Sequence, residues 1–231
     1  MGGRGGAIRP EQWTQFRRAA KREAGAETPL ALIVDSPWIP GWAGMSHLDY
    51  FLDPAQWLEA NLRVMGEFPD VIFFPGWWVE YGMGIEPSAP GSRLHLWPDR
   101  PSDQTPALQR LEDVESWPAL NPQADGLMPF ALHRYRTLKQ RIFDAGYTLP
   151  AVAARDPLCL ASFLRGVPRL MTDLVDAPEA AHRLLEAATH TVIEWLKAEA
   201  IGPTVEGILV LDDIVGFPSP RAYREFAHPY L

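Results

Sequence analysis

The apolar run Gly207-Ile208-Leu209-Val210-Leu211 stops at two adjacent carboxylates, Asp212 and Asp213. Three other apolar runs also stop at residues with chemistry. Leu30–Val34 leads to Asp35 and Trp38. Asp70–Phe74 leads to the paired Trp77 and Trp78, then to Glu80 and Tyr81. Tyr147–Ala154 leads to Arg155 and Asp156. Adjacent carboxylates repel, so one of them can hold a proton that an isolated Asp would lose, which suits acid or base work. A Glu and a Tyr beside two indoles place polar groups in an apolar wall, as binding pockets do. On this reading Asp212, Asp213 and Glu80 are the candidate catalytic groups. Asp35, Trp38, Trp77, Trp78, Tyr81, Arg155 and Asp156 are the candidate substrate contacts. Each has a plainer reading. A strand-end Asp can cap a loop, an Arg beside an Asp can form a structural ion pair, and a Trp can fill a core.

These residues have meaning only if one architecture brings them together. The run at 207–211 is apolar throughout and rich in branched residues, as a strand buried on both faces of a parallel sheet requires. Pro220 to Ala227 then reads as a helix, completing one strand–loop–helix unit. Helices are expected over Pro10–Ala24, Asp53–Glu67, Leu111–Trp117, Gly126–Ala145, Cys159–Leu164, Pro168–Val175 and Ala177–Ala200, from apolar spacing with Pro at first turns and Gly beyond the ends. Arg93–Trp97 is a possible short strand, and 98–108 a proline-rich connection. Strands alternating with helices indicate a parallel α/β fold, in which chemistry sits at the carboxyl ends of the strands. A (β/α)8 barrel needs eight strands, and this chain offers roughly four main ones. It reads as an incomplete TIM barrel, its first half to two-thirds, cut short on the C-terminal side. Residues 1–29 form an N-terminal extension with one helix, and 30–231 the barrel part. Such a half would expose a strand edge and apolar faces, so the chain is expected to pair with itself, for example as a homodimer.

Bulk composition excludes several partners. The 231 residues carry a net charge of -8, which disfavours nucleic acid and anionic membranes. No apolar run approaches the roughly 20 residues that span a bilayer, and the start MGGRGGAIRP has no secretory apolar core. A single cysteine, Cys159, precludes an internal disulfide and fits a reducing, cytoplasmic setting. Cys159 reads as a small buried residue, and His95 is a faint site candidate. One Cys and six scattered His give no metal-ligand spacing, so no metal site is expected within the chain.

Three ordered segments carry a resemblance. Arg155-Asp156-Pro157-Leu158-Cys159-Leu160-Ala161-Ser162-Phe163-Leu164-Arg165-Gly166, then Asp176-Ala177-Pro178-Glu179 opening a Leu-rich helix, then Leu211–Leu231 ending Glu225-Phe226-Ala227-His228-Pro229-Tyr230-Leu231, together resemble the uroporphyrinogen decarboxylase superfamily. The resemblance implies a (β/α)8 barrel with its cleft at the strand C-termini, and one of two chemistries. Porphyrinogen decarboxylases grip their polycarboxylate substrate with an Arg-bearing loop after the first strand and place a catalytic Asp after the second. Here those places read Asp35-Ser36-Pro37-Trp38-Ile39-Pro40-Gly41, without Arg, and Pro75-Gly76-Trp77-Trp78, without Asp. The other branch is similar to corrinoid-linked methyltransferases. It implies a small-molecule or corrinoid-protein substrate, and zinc and corrinoid as cofactors of a longer chain, with none bound by residues 1–231 alone. Glu80-Tyr81-Gly82 and Glu86-Pro87-Ser88-Ala89 resemble members nearer that branch. Methyl transfer is therefore the expected activity. Decarboxylation, glycoside hydrolysis by Trp-rich strand ends with carboxylates, and a non-catalytic binding barrel remain as alternatives.

Overall fold

The computed structural model describes residues 8–25, 27–34, 36–117, 119–200 and 205–231. Its helices are α1 (Pro10–Ala20), α2 (Ile39–Ala43), α3 (His47–Leu52), α4 (Pro54–Glu67), α5 (Ile85–Ser88), α6 (Met128–Asp144), α7 (Pro157–Arg165), α8 (Val167–Asp176), α9 (Pro178–Glu199) and α10 (Pro220–Phe226). Its strands are β1 (Leu30–Leu32), β2 (Val71–Phe73), β3 (Arg93–His95), β4 (Asp103–Thr105), β5 (Ala151–Arg155) and β6 (Gly207–Leu211). Two sheets are parallel pairs, β1 with β2 and β5 with β6, and the third is the antiparallel hairpin β3–β4.

Local sequence explains most helix starts. Asp53 accepts the Ala55 N–H at 2.8 Å with Pro54 at the first helical position, which starts α4. Ser219 caps α10 through the Ala222 N–H in the same way. α9 buries Leu184, Leu185, Ala188, Val192 and Trp195 on one stripe. That stripe receives α7, α8 and β5. Each Leu or Val among them, taken out of water, contributes about 1.5–3 kcal/mol.

The two parallel pairs run in the same direction. At their amino ends, α1 crosses beneath both. Gln12 reaches the Pro69 carbonyl ahead of β2, while the Trp13 indole donates to Glu206 ahead of β6 at 3.2 Å. The Glu206 N–H donates to the Pro150 carbonyl ahead of β5. Ile8, Trp13 and Ile72 form a small core that also takes in Ala31 and Ala151. Gly207 belongs to it because a side chain there would meet the Trp13 ring at 3.1 Å. This is the inner face of the strands. Val71, Phe73 and Ala154 face the other way, into the helix-covered core.

Several expectations are corrected. The runs at 30–34 and 70–74 yield strands of only three residues, and the third strand ends at Arg155, so Arg155 is a strand residue and not the first after it. Helices α2 and α3 occupy a stretch that lacks helical periodicity, and β4 lies within the proline-rich connection, where Asp103–Thr105 pairs with β3. β6 is not buried on both faces: Ile208 is 61% and Val210 41% exposed. Leu30 and Leu32 on β1 are likewise 57% and 43% exposed. The reason is shared, since these side chains alternate with the inner-face residues and so point to the helix side, where the described residues cover the two outermost strands only in part. The strands do not close into a barrel among the described residues, and β2 is not hydrogen-bonded to β5.

Candidate functional site at the strand carboxyl ends

The carboxyl ends of the four parallel strands share one polar cluster. Its centre is Arg155, the last residue of β5, 2% exposed. Its Nη2 lies 3.8 Å from Glu80 Oε2, in the loop after β2, and its guanidinium sits 4.9 Å from the centre of the Trp78 ring. The Arg155 N–H donates to Glu86 Oε1 on α5 at 3.0 Å. Glu80 in turn accepts the Ser36 hydroxyl proton, from the segment after β1, and the Met83 N–H at 2.6 Å. A buried charge is tolerated only when paired and hydrogen-bonded, and Glu80 and Arg155 satisfy part of each other's requirement.

The loop that aims Glu80 is bent hard. Trp77, Tyr81 and Met83 all take positive φ, at 52°, 44° and 69°. For residues with side chains this costs about 1–3 kcal/mol each and concentrates at functional sites.

Beside this cluster stands a group of carboxylates. The Asp156 N–H donates to the Leu211 carbonyl at 2.8 Å, continuing the β5–β6 ladder and placing Asp156 next to Asp212. Asp156 also caps α7, accepting the Leu158 and Cys159 N–H groups at 3.0 and 2.8 Å. Burial pushes its carboxyl up to about 6 against the pull of those N–H groups, and the Asp212 and Asp213 charges add to the rise. Burial raises Asp212 as well, opposed by the Val215 N–H and reinforced by Asp213. Asp212 is half-buried and Asp213 exposed.

Glu80, Arg155, Asp156, Asp212 and Asp213 are thus neighbours, with Trp78 against the guanidinium. Asp35 lies outside the described residues, though Ser36, which follows it, is in the cluster. The other aromatic candidates lie apart. Trp77, 1% exposed, packs in the core between Trp57 and Tyr147, and Tyr81 packs against Phe51 with the Arg134 guanidinium 5.1 Å from its ring. Trp38 stacks on Trp42 and lines an apolar cavity of about 480 Å³ with Leu32, Ile33, Val34, Phe68 and Phe73. The expectation that the indoles form one wall is therefore corrected: positive φ at Trp77 turns its ring into the core, while Trp78 alone reaches the cluster.

Sequence reasoning did not single out Ser36 or Glu199, and it noted Glu86 only within a resemblance. Glu199, at the end of α9, looks like an ordinary solvated helix-end residue, yet it is 6% exposed. Burial, then the Glu86 charge, raise its carboxyl well above the usual range. The one available signal is its place just before a strand, where a helix end turns inward.

No trio of His, Cys, Asp and Glu among the described residues is arranged to hold a metal ion. Burial pushes the Cys159 thiol up to about 12, so free thiolate is scarce there near neutral pH. Among the described residues no helix is long and apolar enough to cross a membrane.

Comparison with known proteins decides the lineage. The family description of uroporphyrinogen decarboxylase (URO-D) matches residues 15–231. This chain belongs to the URO-D family. Its relatives within that family divide between two chemistries. It is 26% identical over 132 residues to a uroporphyrinogen decarboxylase of Cellvibrio japonicus, covering 54% of this chain and 35% of that protein. It is 30% identical over 155 residues to a methylated-thiol–coenzyme M methyltransferase of Methanosarcina mazei, covering 65% of this chain and 40% of that protein. The match thus spans well under half the length of each relative. A solved methyltransferase from Methanosarcina mazei superposes with a TM-score of 0.70 at 18% identity, over 94% of this chain and 64% of that one. That likeness shows a common fold.

Proposed function

We propose that the four parallel strands are consecutive staves of a (β/α)8 barrel, and that the mouth at their carboxyl ends serves methyl transfer linked to a corrinoid protein. The observation that carries this reading is the convergence of Ser36, Glu80, Arg155, Asp156 and Asp212 from four different strand ends on one side of the molecule. TIM-barrel enzymes assemble their sites in this way. The methyltransferase likeness supports the choice of chemistry.

The site's own residues divide the work. Arg155, held by Glu80 and Trp78, stiffens the floor. Asp212, half-buried with a raised carboxyl, is the group best placed to accept the proton of an incoming methyl acceptor such as a thiol. A base whose affinity for protons is raised towards neutrality is more effective than an ordinary Asp. Burial raises Asp212 first, and the Asp213 charge beside it also favours proton uptake. Glu80 is engaged by Ser36, Met83 and Arg155, and its role is positional.

Decarboxylation of a porphyrinogen is the second reading, supported by the decarboxylase relatives. Two features weigh against it. No Arg stands in 35–41 to grip a polycarboxylate, and residues 75–78 hold no carboxylate. The test is to incubate the protein with methylcobalamin and a thiol, following the corrinoid spectrum, and in parallel with uroporphyrinogen, following products by chromatography. Demethylation of the corrinoid with thioether formation is expected, slowed at least tenfold in Asp212→Asn. Coproporphyrinogen formation without demethylation would overturn the reading.

A further inference from the structure

A cavity of about 460 Å³ lies between the β3–β4 hairpin, the end of α3 and the first turn of α6. Leu94 and Leu96 of the hairpin, Leu127 and Phe130 of α6, and Leu52 and Tyr81 line it, and no charged side chain does. None of its walls comes from β1 or β6. Its shape is held by the fold. The Ser88 hydroxyl donates to the Ile85 carbonyl at 2.6 Å and accepts the Leu127 N–H at 2.8 Å, which ties α5 to the start of α6. Gly126 has φ 55°, and a side chain there would meet the Ala89 backbone nitrogen at 2.6 Å. A side chain at Gly84 would meet Leu94 at 2.7 Å. Leu52 and Phe130 remain 64% and 61% exposed.

The hairpin face on this cavity carries two polar atoms that nothing satisfies. Alternation along β3 puts Ser92 on the side of Leu94 and Leu96. Ser92 lines the cavity and is 6% exposed, and its hydroxyl has no hydrogen-bond partner among the described residues. Gln104 stands opposite Leu94 across the hairpin, so its side chain shares that face, and its Oε1 is also buried without a partner. Buried polar groups are normally paired, and an unpaired one carries a cost that a partner would remove.

We propose that this cavity binds a neutral phenol or aromatic alcohol. Its volume is that of a small-molecule site, mostly apolar with a few polar groups. Tyr81 and Phe130 offer ring faces to an aromatic ligand. With no charged group in the lining, an ionised ligand would enter at the full cost of its desolvation, which selects a neutral one. A hydroxyl on the ring answers both orphaned atoms at once, since it accepts from the Ser92 hydroxyl and donates to Gln104 Oε1. A hydrocarbon or an apolar side chain would fill the space and leave both unpaired. The proposal makes no use of the chemistry assigned to the strand ends.

Titration of the full chain with p-cresol and with toluene, followed by methyl NMR and calorimetry, tests it. Saturable binding of p-cresol is expected, with shifts at Leu94, Leu96 and Leu127. Toluene, which lacks the hydroxyl, should bind about two- to tenfold more weakly, the worth of a hydrogen bond. Ser92→Ala should cut that preference at least about twofold and leave toluene binding as it is. Phe130→Glu puts a charge at an exposed lining position in the first turn of α6. It should weaken both ligands at least about fivefold while the protein still melts cooperatively. Absence of saturable binding, equal affinities of the parent protein for the two ligands, an unchanged preference in Ser92→Ala, or affinities unmoved by Phe130→Glu would each overturn the proposal.

Discussion

Glu199 and Asp212 are carboxylic acids on either side of one strand, and the protein treats them in opposite ways. Glu199 belongs to a buried polar layer with Glu86, Glu80 and Arg155. Asp212 belongs to a rim with Asp156 and Asp213, reached by solvent on one side. In the layer, Glu80 and Arg155 hold each other, while the Glu86 charge works against ionisation of Glu199. At the rim, carboxylates accept backbone N–H groups and retain freedom to titrate. The layer is buried and the rim holds the groups proposed above for the chemistry, and substitutions in the two regions should differ accordingly.

The largest effect is expected at Arg155. Arg155→Met leaves Glu80 buried without its cation, and a broken buried pair costs about 3–5 kcal/mol. Urea unfolding should show that loss, against less than about 0.5 kcal/mol for Asp213→Asn at the exposed rim.

Glu199 comes next, and its signature is pH dependence. Its folded carboxyl lies above the unfolded value, so the folded state binds the proton more tightly. The stability this gives is complete below about pH 4.5 and declines as pH rises towards the folded value. Glu199→Gln should abolish that decline and stabilise the protein near pH 8, as thermal melts across pH would show. If the variant melts lower than the parent at every pH, the buried-acid assignment is wrong.

Asp156 should show a smaller version of the same sign. Its carboxyl rises from 3.8 to about 6, so stability falls between about pH 4 and 6 and is flat above. Asp156→Asn keeps an effective cap for α7 and should flatten this window. Asp156→Ala removes the cap as well and should cost about 1 kcal/mol more.

The smallest effect is one of coupling. Asp212→Asn removes a charge that raises Asp156, so the Asp156 midpoint, followed by carboxyl NMR, should move down by a few tenths of a unit, the change a screened rim charge produces. An unmoved midpoint would separate the two groups.

The rim was legible in the sequence and much of the layer was not. Asp156 and Asp212 follow apolar runs, and in a parallel α/β fold that alone places them at one end of the sheet. Glu80 and Arg155 were placed by the same logic, although Arg155 turned out to be a strand residue. Burial was harder to read. Gly207–Leu211 is apolar throughout, and two of its side chains face solvent, because burial depends on a neighbouring element that sequence cannot display. Trp77 and Trp78 are identical in type and adjacent, yet one fills the core and the other backs Arg155, a distinction set by a backbone dihedral. Glu199 was missed because a charged helix end is normally solvated, and only tertiary packing buries it.

The claim on which the rest depends is that the ends of β2 and β5 meet through Glu80 and Arg155. A double-mutant cycle with Glu80→Gln, Arg155→Met and the combined variant, read by urea unfolding, tests it directly. The double variant should be less destabilised than the sum of the singles by at least about 1 kcal/mol, since each single strands a buried charge. Additivity within about 0.3 kcal/mol would mean that the two side chains do not meet, and that the strand ends do not share a mouth.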